Sequence, residues 1–130
     1  MRFLIVEDVP EMREWLGSLL STHFSDKFSD LKISLADSPV ELRRQLERAK
    51  PDLILLDEVL GVDTNEDLAS VLSGLLTHRV VLMTGMETAN MGKRVLPPHV
   101  LGRLIKPSWD QGGGEEGFLK GLEQLLTDLG

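Results

Sequence analysis

Three short stretches of the chain are apolar without interruption: Phe3-Leu4-Ile5-Val6, Leu53-Ile54-Leu55-Leu56 and Val80-Val81-Leu82-Met83. Runs of this length and uniformity read as strands covered on both faces. A further strand, the fifth in chain order, runs from Leu101 to Ile105. Leu31, Ile33 and Leu35 alternate with Lys32 and Ser34, the pattern of a half-covered strand at a sheet edge. Between the strands the period changes. Met12, Trp15, Leu16, Leu19 and Leu20 recur at helical spacing and predict a helix from Pro10 to Phe24. Ser38-Pro39-Val40-Glu41 carries a cap, a first-turn proline and a capping-box glutamate, and Leu42, Leu46 and Ala49 make the inner face of the helix it starts. Leu68, Val71, Leu72, Leu75 and Leu76 predict a third helix, and Phe118, Leu119, Leu122, Leu125, Leu126 and Leu129 a last one. The stretch from Glu87 to Val95 is only weakly helical, with Gly92 inside it, and Gly112-Gly113-Gly114 reads as a flexible joint.

Strand and helix therefore alternate five times. This alternation implies an α/β fold with a parallel sheet and helices on both faces. The length of 130 residues fits one domain spanning 1–130. The composition, 42% hydrophobic and 27% charged, is that of a globular protein. The formal net charge of −7 argues against gripping a nucleic-acid backbone. The absence of cysteine removes disulfides, thiolate zinc sites and a cysteine nucleophile. No apolar run approaches the roughly 20 residues needed to span a bilayer. The N-terminal run turns acidic at Glu7-Asp8, too early for a signal peptide, so the cytoplasm is the expected compartment.

In open α/β sheets, ligands bind beyond the carboxyl ends of the strands. The first strand delivers Glu7 and Asp8 there, the third Asp57, the fourth Thr84 and the fifth Lys106. Each has an ordinary reading when taken singly: a helix cap for the acidic pair or for Thr84, a turn residue for Asp57, a solvated charge for Lys106. Together they place three carboxylates, a hydroxyl and an ammonium at one edge. Three close carboxylates repel one another unless a cation neutralises them. Mg²⁺ suits such an oxygen-only set, because it takes one or two carboxylates and leaves positions for water and phosphate oxygens. His23, His78 and His99 show no zinc-ligand spacing.

The segments Phe3-Leu-Ile-Val-Glu-Asp-Val-Pro-Glu-Met-Arg13, Pro51-Asp-Leu-Ile-Leu-Leu-Asp57, Val80-Val-Leu-Met-Thr84-Gly85 and Leu104-Ile-Lys106-Pro107 resemble, in order, the receiver domain of bacterial two-component response regulators. The resemblance implies a flavodoxin-like sheet of five parallel strands in the order 2-1-3-4-5. It also implies a phosphoacceptor switch that is not an enzyme in its own right. Glu7 and Asp8 correspond to the metal-binding acidic pair and Asp57 to the phosphoacceptor. The backbone carbonyl of Val59 corresponds to a further Mg²⁺ ligand. Thr84 corresponds to the residue that hydrogen-bonds the phosphoryl group and Lys106 to its charge partner. The bond before Pro107 is often cis in such domains. The implied partners are a sensor histidine kinase or phosphotransfer protein, a downstream protein target, and a second copy of the chain through the fourth segment, fifth strand and last helix. Neither nucleic acid nor membrane is among them. The alternative reading is an interaction module that uses the same fold without phosphorylation.

Some positions depart from the pattern. Arg103 stands where many relatives carry an aromatic residue, three before the lysine; it is expected to lie on the output surface, or else to make charged contacts that replace the aromatic switch. Val59 and Met86 stand two residues after Asp57 and Thr84, where neither can orient a hydrolytic water, so a long-lived phosphoryl form is expected. Leu60-Gly61 replaces a Met-Pro pair common in relatives. A phosphatase with an aspartyl nucleophile would want a second Asp at Val59.

Overall fold

The computed structural model describes residues 1–58, 68–85, 97–108 and 114–128. Five parallel strands, β1 (Arg2–Val6), β2 (Lys32–Ala36), β3 (Leu53–Asp57), β4 (Val80–Thr84) and β5 (Val100–Ile105), form one sheet in the order β2-β1-β3-β4-β5. Among the described residues, four helices accompany them: α1 (Pro10–Phe24), α2 (Pro39–Arg48), α3 (Leu68–Ser73) and α4 (Glu115–Asp128). The parallel pairing is the one that the strand–helix alternation implies, and the strand order the one that the receiver resemblance implies.

The apolar runs explain which strands are central. In β1, β3 and β4, alternate residues feed two separate cores. Phe3, Ile5, Leu53, Leu55, Val81 and Met83 pack on one face with Met12, Leu16, Leu20 and Phe24 of α1 and Phe118, Leu119 and Leu122 of α4. Leu4, Val6, Ile54, Leu56, Val80 and Leu82 pack on the other with Leu42 of α2 and Val71 and Leu72 of α3. Polar residues on either parity would strand a dipole in a core, which is why these strands cannot alternate. Each fully buried Leu, Ile or Phe contributes about 1.5–3 kcal/mol. β2, with its alternating pattern, lies at one edge and β5 at the other.

Local signals place the helix starts. Ser38 Oγ accepts the Glu41 N–H at 3.2 Å, forming half of the expected capping box. The Glu41 carboxylate does not reach back; it accepts instead from Arg44 at 3.4 Å and Gln45 at 3.3 Å. The first helix begins as expected at Pro10.

Three expectations are corrected. Ala49 is the extended C-cap of α2 and not part of its inner face. α3 stops at Ser73, before Gly74, and the chain tightens through turn bonds from Gly74 to Val71 and from Leu75 to Leu72. Leu75 still reaches the core, but Leu76 is 67% exposed, because the tighter turn rotates it off the inner face. The bond before Pro107 is trans, the intrinsically favoured isomer even for an X–Pro bond. The weakly helical stretch 87–95, Leu60-Gly61, Gly112, Gly113 and Leu129 lie outside the described residues.

Gly114, with φ of 80°, supplies the left-handed turn that launches α4, and its carbonyl accepts the Phe118 N–H at 3.0 Å. A Cβ there would also sit 3.3 Å from Pro107 Cα. Gly114→Ala should therefore lower the unfolding free energy by about 1–2 kcal/mol, read from denaturant midpoints. An unchanged midpoint would count against this conformation.

Candidate functional site

The carboxyl ends of four strands converge as the chain order requires. Glu7 follows β1, and its amide donates to the Ala36 carbonyl of β2 at 3.0 Å. Asp57 and Thr84 are the last residues of β3 and β4. Lys106 follows β5, tied down by its amide to the Thr84 carbonyl at 2.7 Å. Glu7 and Asp57 are buried, at 0% and 2% exposure, and Asp8 is half-buried.

Glu7, Asp8 and Asp57 each present a carboxylate oxygen within 4.8 Å of the others. The Lys106 Nζ donates to Glu7 Oε2 at 3.2 Å and lies 3.3 Å from Asp57 Oδ2. The other Glu7 oxygen accepts the Val9 N–H at 3.3 Å, and Arg13 Nη1 donates to the Glu7 carbonyl at 3.0 Å. The cap reading of the acidic pair is thereby settled. Val9, not Glu7 or Asp8, holds the N-cap position of α1, and α1 has no side-chain cap.

The electrostatics follow from two buried carboxylates, Glu7 and Asp57, facing the Lys106 ammonium beside the half-buried Asp8. Burial, and after it the Asp57 carboxylate, pushes Glu7 up to about 7, against the opposing pull of Lys106. Burial by itself drives Lys106 down, but Asp57 and Glu7 together outweigh it and hold the ammonium above its ordinary range. With all groups ionised, the cluster retains a surplus of negative charge that Lys106 does not cancel. A divalent oxygen-liganded cation fits that surplus and that donor set.

The structure therefore brings Glu7, Asp8, Asp57 and Lys106 together, with Thr84 on the adjoining strand end, where its hydroxyl donates to the Gly85 carbonyl at 3.2 Å. Val59 and Met86 lie outside the described residues. Arg103 is corrected from a surface position. It is 15% exposed and ion-paired through Nε with Glu58 Oε1; Glu58 is itself 11% exposed. The sequence carried one usable signal for this pair. An arginine inside an otherwise apolar strand needs an enclosed acid, and Glu58 follows directly on a strand end.

No protein-family model and no curated protein matches the chain. Solved structures do. The signal receiver domain of an HD domain-containing protein from Pseudomonas fluorescens Pf-5 is 17% identical with a TM-score of 0.70, covering 98% of this chain and 94% of that one. The N-terminal domain of a response regulator/sensory box/GGDEF three-domain protein from Carboxydothermus hydrogenoformans is 17% identical with a TM-score of 0.68 and the same coverage. The chemotaxis response regulator CheY4 of Vibrio cholerae is 20% identical with a TM-score of 0.66, covering 95% and 97%. The chain has the flavodoxin-like fold of response-regulator receiver domains. Among the described residues, no helix is long and apolar enough to cross a membrane.

Proposed function

We propose that this protein, as a single receiver domain, is a phosphoacceptor switch that takes a phosphoryl group on Asp57. The observation that carries this reading is the enclosure of Asp57 by Glu7, Asp8 and Lys106 at the carboxyl edge of a receiver-type sheet. A carboxylate held there has one oxygen beside an ammonium and sits among acids that suit Mg²⁺. Glu7, Asp8 and Asp57 would hold the ion, with the Val59 backbone carbonyl as the further ligand that the resemblance implies. Bound Mg²⁺ supplies charge neutralisation for the phosphoryl oxygens.

The donor is a phosphohistidine on a histidine kinase or phosphotransfer protein. An Asp57 carboxylate oxygen attacks phosphorus and forms a P–O bond. The P–N bond breaks, its electron pair stays on the imidazole nitrogen, and that nitrogen takes a proton from water. The product is an acyl phosphate. Lys106 balances the charge on its oxygens, and the Thr84 hydroxyl turns from the Gly85 carbonyl to donate to one of them. The changed charge shifts affinity for a protein partner, by no more than the partner's preference for one state over the other.

The test is incubation with labelled acetyl phosphate and Mg²⁺. One phosphoryl group per chain is expected, acid-stable and labile to hydroxylamine, and lost in Asp57→Asn and with chelator. No uptake by the wild type would favour a phosphorylation-independent interaction module on the same fold.

A further inference from the structure

Two cations, Arg103 in β5 and Lys106 just after it, reach over β4 to two consecutive acids, Asp57 at the end of β3 and Glu58 just after it. Lys106 meets Asp57, and three residues earlier Arg103 meets Glu58. The register explains the reach: Leu82 of β4 lies beside Leu56 on one side and Arg103 on the other. Glu58 is held twice, because its amide also donates to the Met83 carbonyl at 2.9 Å. A largely enclosed pair of this kind is costly to break on one side only, since the remaining charge stays buried.

We propose that Arg103 is a positioning residue for Asp57, acting through Glu58. This rests on the reading of Asp57 as phosphoacceptor. Glu58 is bonded directly to Asp57. Anchoring it at both amide and carboxylate restricts the backbone from which the Asp57 carboxylate projects. The Asp57 carboxylate is thereby kept in the orientation that sets its Oδ2 beside Lys106. Phosphoryl transfer depends heavily on such positioning, and small displacements are expensive in rate. The role assigned to Arg103 runs through Glu58, which it contacts directly. Its guanidinium suits this task better than an ammonium, because the planar fork holds a carboxylate in a fixed direction.

The experiment compares initial rates of phosphoryl uptake over a range of acetyl phosphate concentrations for wild type, Arg103→Ala, Arg103→Lys, Glu58→Gln and the Arg103→Ala/Glu58→Gln double variant. Arg103→Ala and Glu58→Gln should each lower the maximal rate about tenfold with the half-saturating donor concentration unchanged. Arg103→Lys should recover part of the rate, and the double variant should be no slower than either single one. Wild-type maximal rates in both single variants, or fully additive losses in the double, would overturn the proposal. Should Arg103→Ala not fold, Arg103→Lys and Glu58→Gln carry the comparison. Absence of uptake by the wild type would overturn the phosphoacceptor reading instead. Positioning would then be judged by a denaturant-unfolding cycle between Asp57→Asn and Arg103→Ala. A coupling of at least about twofold in the unfolding constant supports it, and additivity overturns it.

Discussion

Raising the pH from about 5 to about 8 without divalent cations should weaken the fold by up to about 3 kcal/mol through Glu7 alone. The folded protein holds the Glu7 proton up to about 7, whereas the unfolded chain releases it near the ordinary carboxyl value of 4.5. Between those values the folded state carries more bound protons than the unfolded state. Stability is therefore greatest at the acid end of the window and falls as pH rises through it. This is opposite in sign to the usual salt-bridged carboxylate, because burial and Asp57 together outweigh Lys106. Mg²⁺ should offset most of that fall. Ligands must be deprotonated to bind a metal, so its stabilisation should grow with pH and reach about 2.7 kcal/mol at a hundredfold excess over its dissociation constant. Denaturant titrations at both pH values, with and without Mg²⁺, check this. Glu7→Gln should flatten the metal-free difference. A variant whose metal-free pH dependence matches wild type would remove Glu7 as its source.

Replacing Lys106 with Met should cut phosphoryl uptake by about a hundredfold or more, the usual loss when a preorganised charge partner is removed from a reacting oxyanion. The substitution keeps much of the volume and removes the Lys106 ammonium, which touches both Glu7 and Asp57. Two carboxylates are then left enclosed without it, and Glu7 should shift further up because its principal downward influence is gone. The unfolding free energy should consequently fall less at about pH 5, where Glu7 carries its proton, than at about pH 8. Lys106→Arg should restore only part of the rate, since a planar fork cannot occupy the same point between two carboxylates. Near-wild-type uptake by Lys106→Met would show that Lys106 balances the resting cluster without serving the transfer.

Much of the site was legible because strand ends are legible. An apolar run that stops abruptly at a charged or hydroxyl residue marks both a buried strand and what it presents at its tip. That is how Glu7, Asp57 and Thr84 were found, and Lys106 after its more mixed strand. Parallel pairing then carries all four tips to one edge, because every strand runs in the same direction. The Arg103–Glu58 pair was less legible. Its members stand 45 residues apart and on strands that are not neighbours, so no local spacing joins them. The early end of α3 is hidden in the sequence for a related reason. The apolar spacing continued past Gly74, but a pattern of side chains cannot show where the backbone switches from helical to turn bonds. The register step between Val80 and Val81 likewise left no mark on composition.

The sequence by itself determined the strand-and-helix alternation, the doubly covered centre of the sheet and the identity of the residues at its carboxyl edge. These depend on periodicity and on local chemistry, both of which are properties of neighbouring residues. The tertiary structure decided the rest: that Glu7 is fully enclosed and held protonated up to about 7, that Lys106 bridges Glu7 and Asp57, and that Arg103 grips the residue after Asp57. Each of those facts is a matter of distance and solvent exclusion between distant segments. Charges interact through space and through the medium between them, and only the folded sheet sets either one.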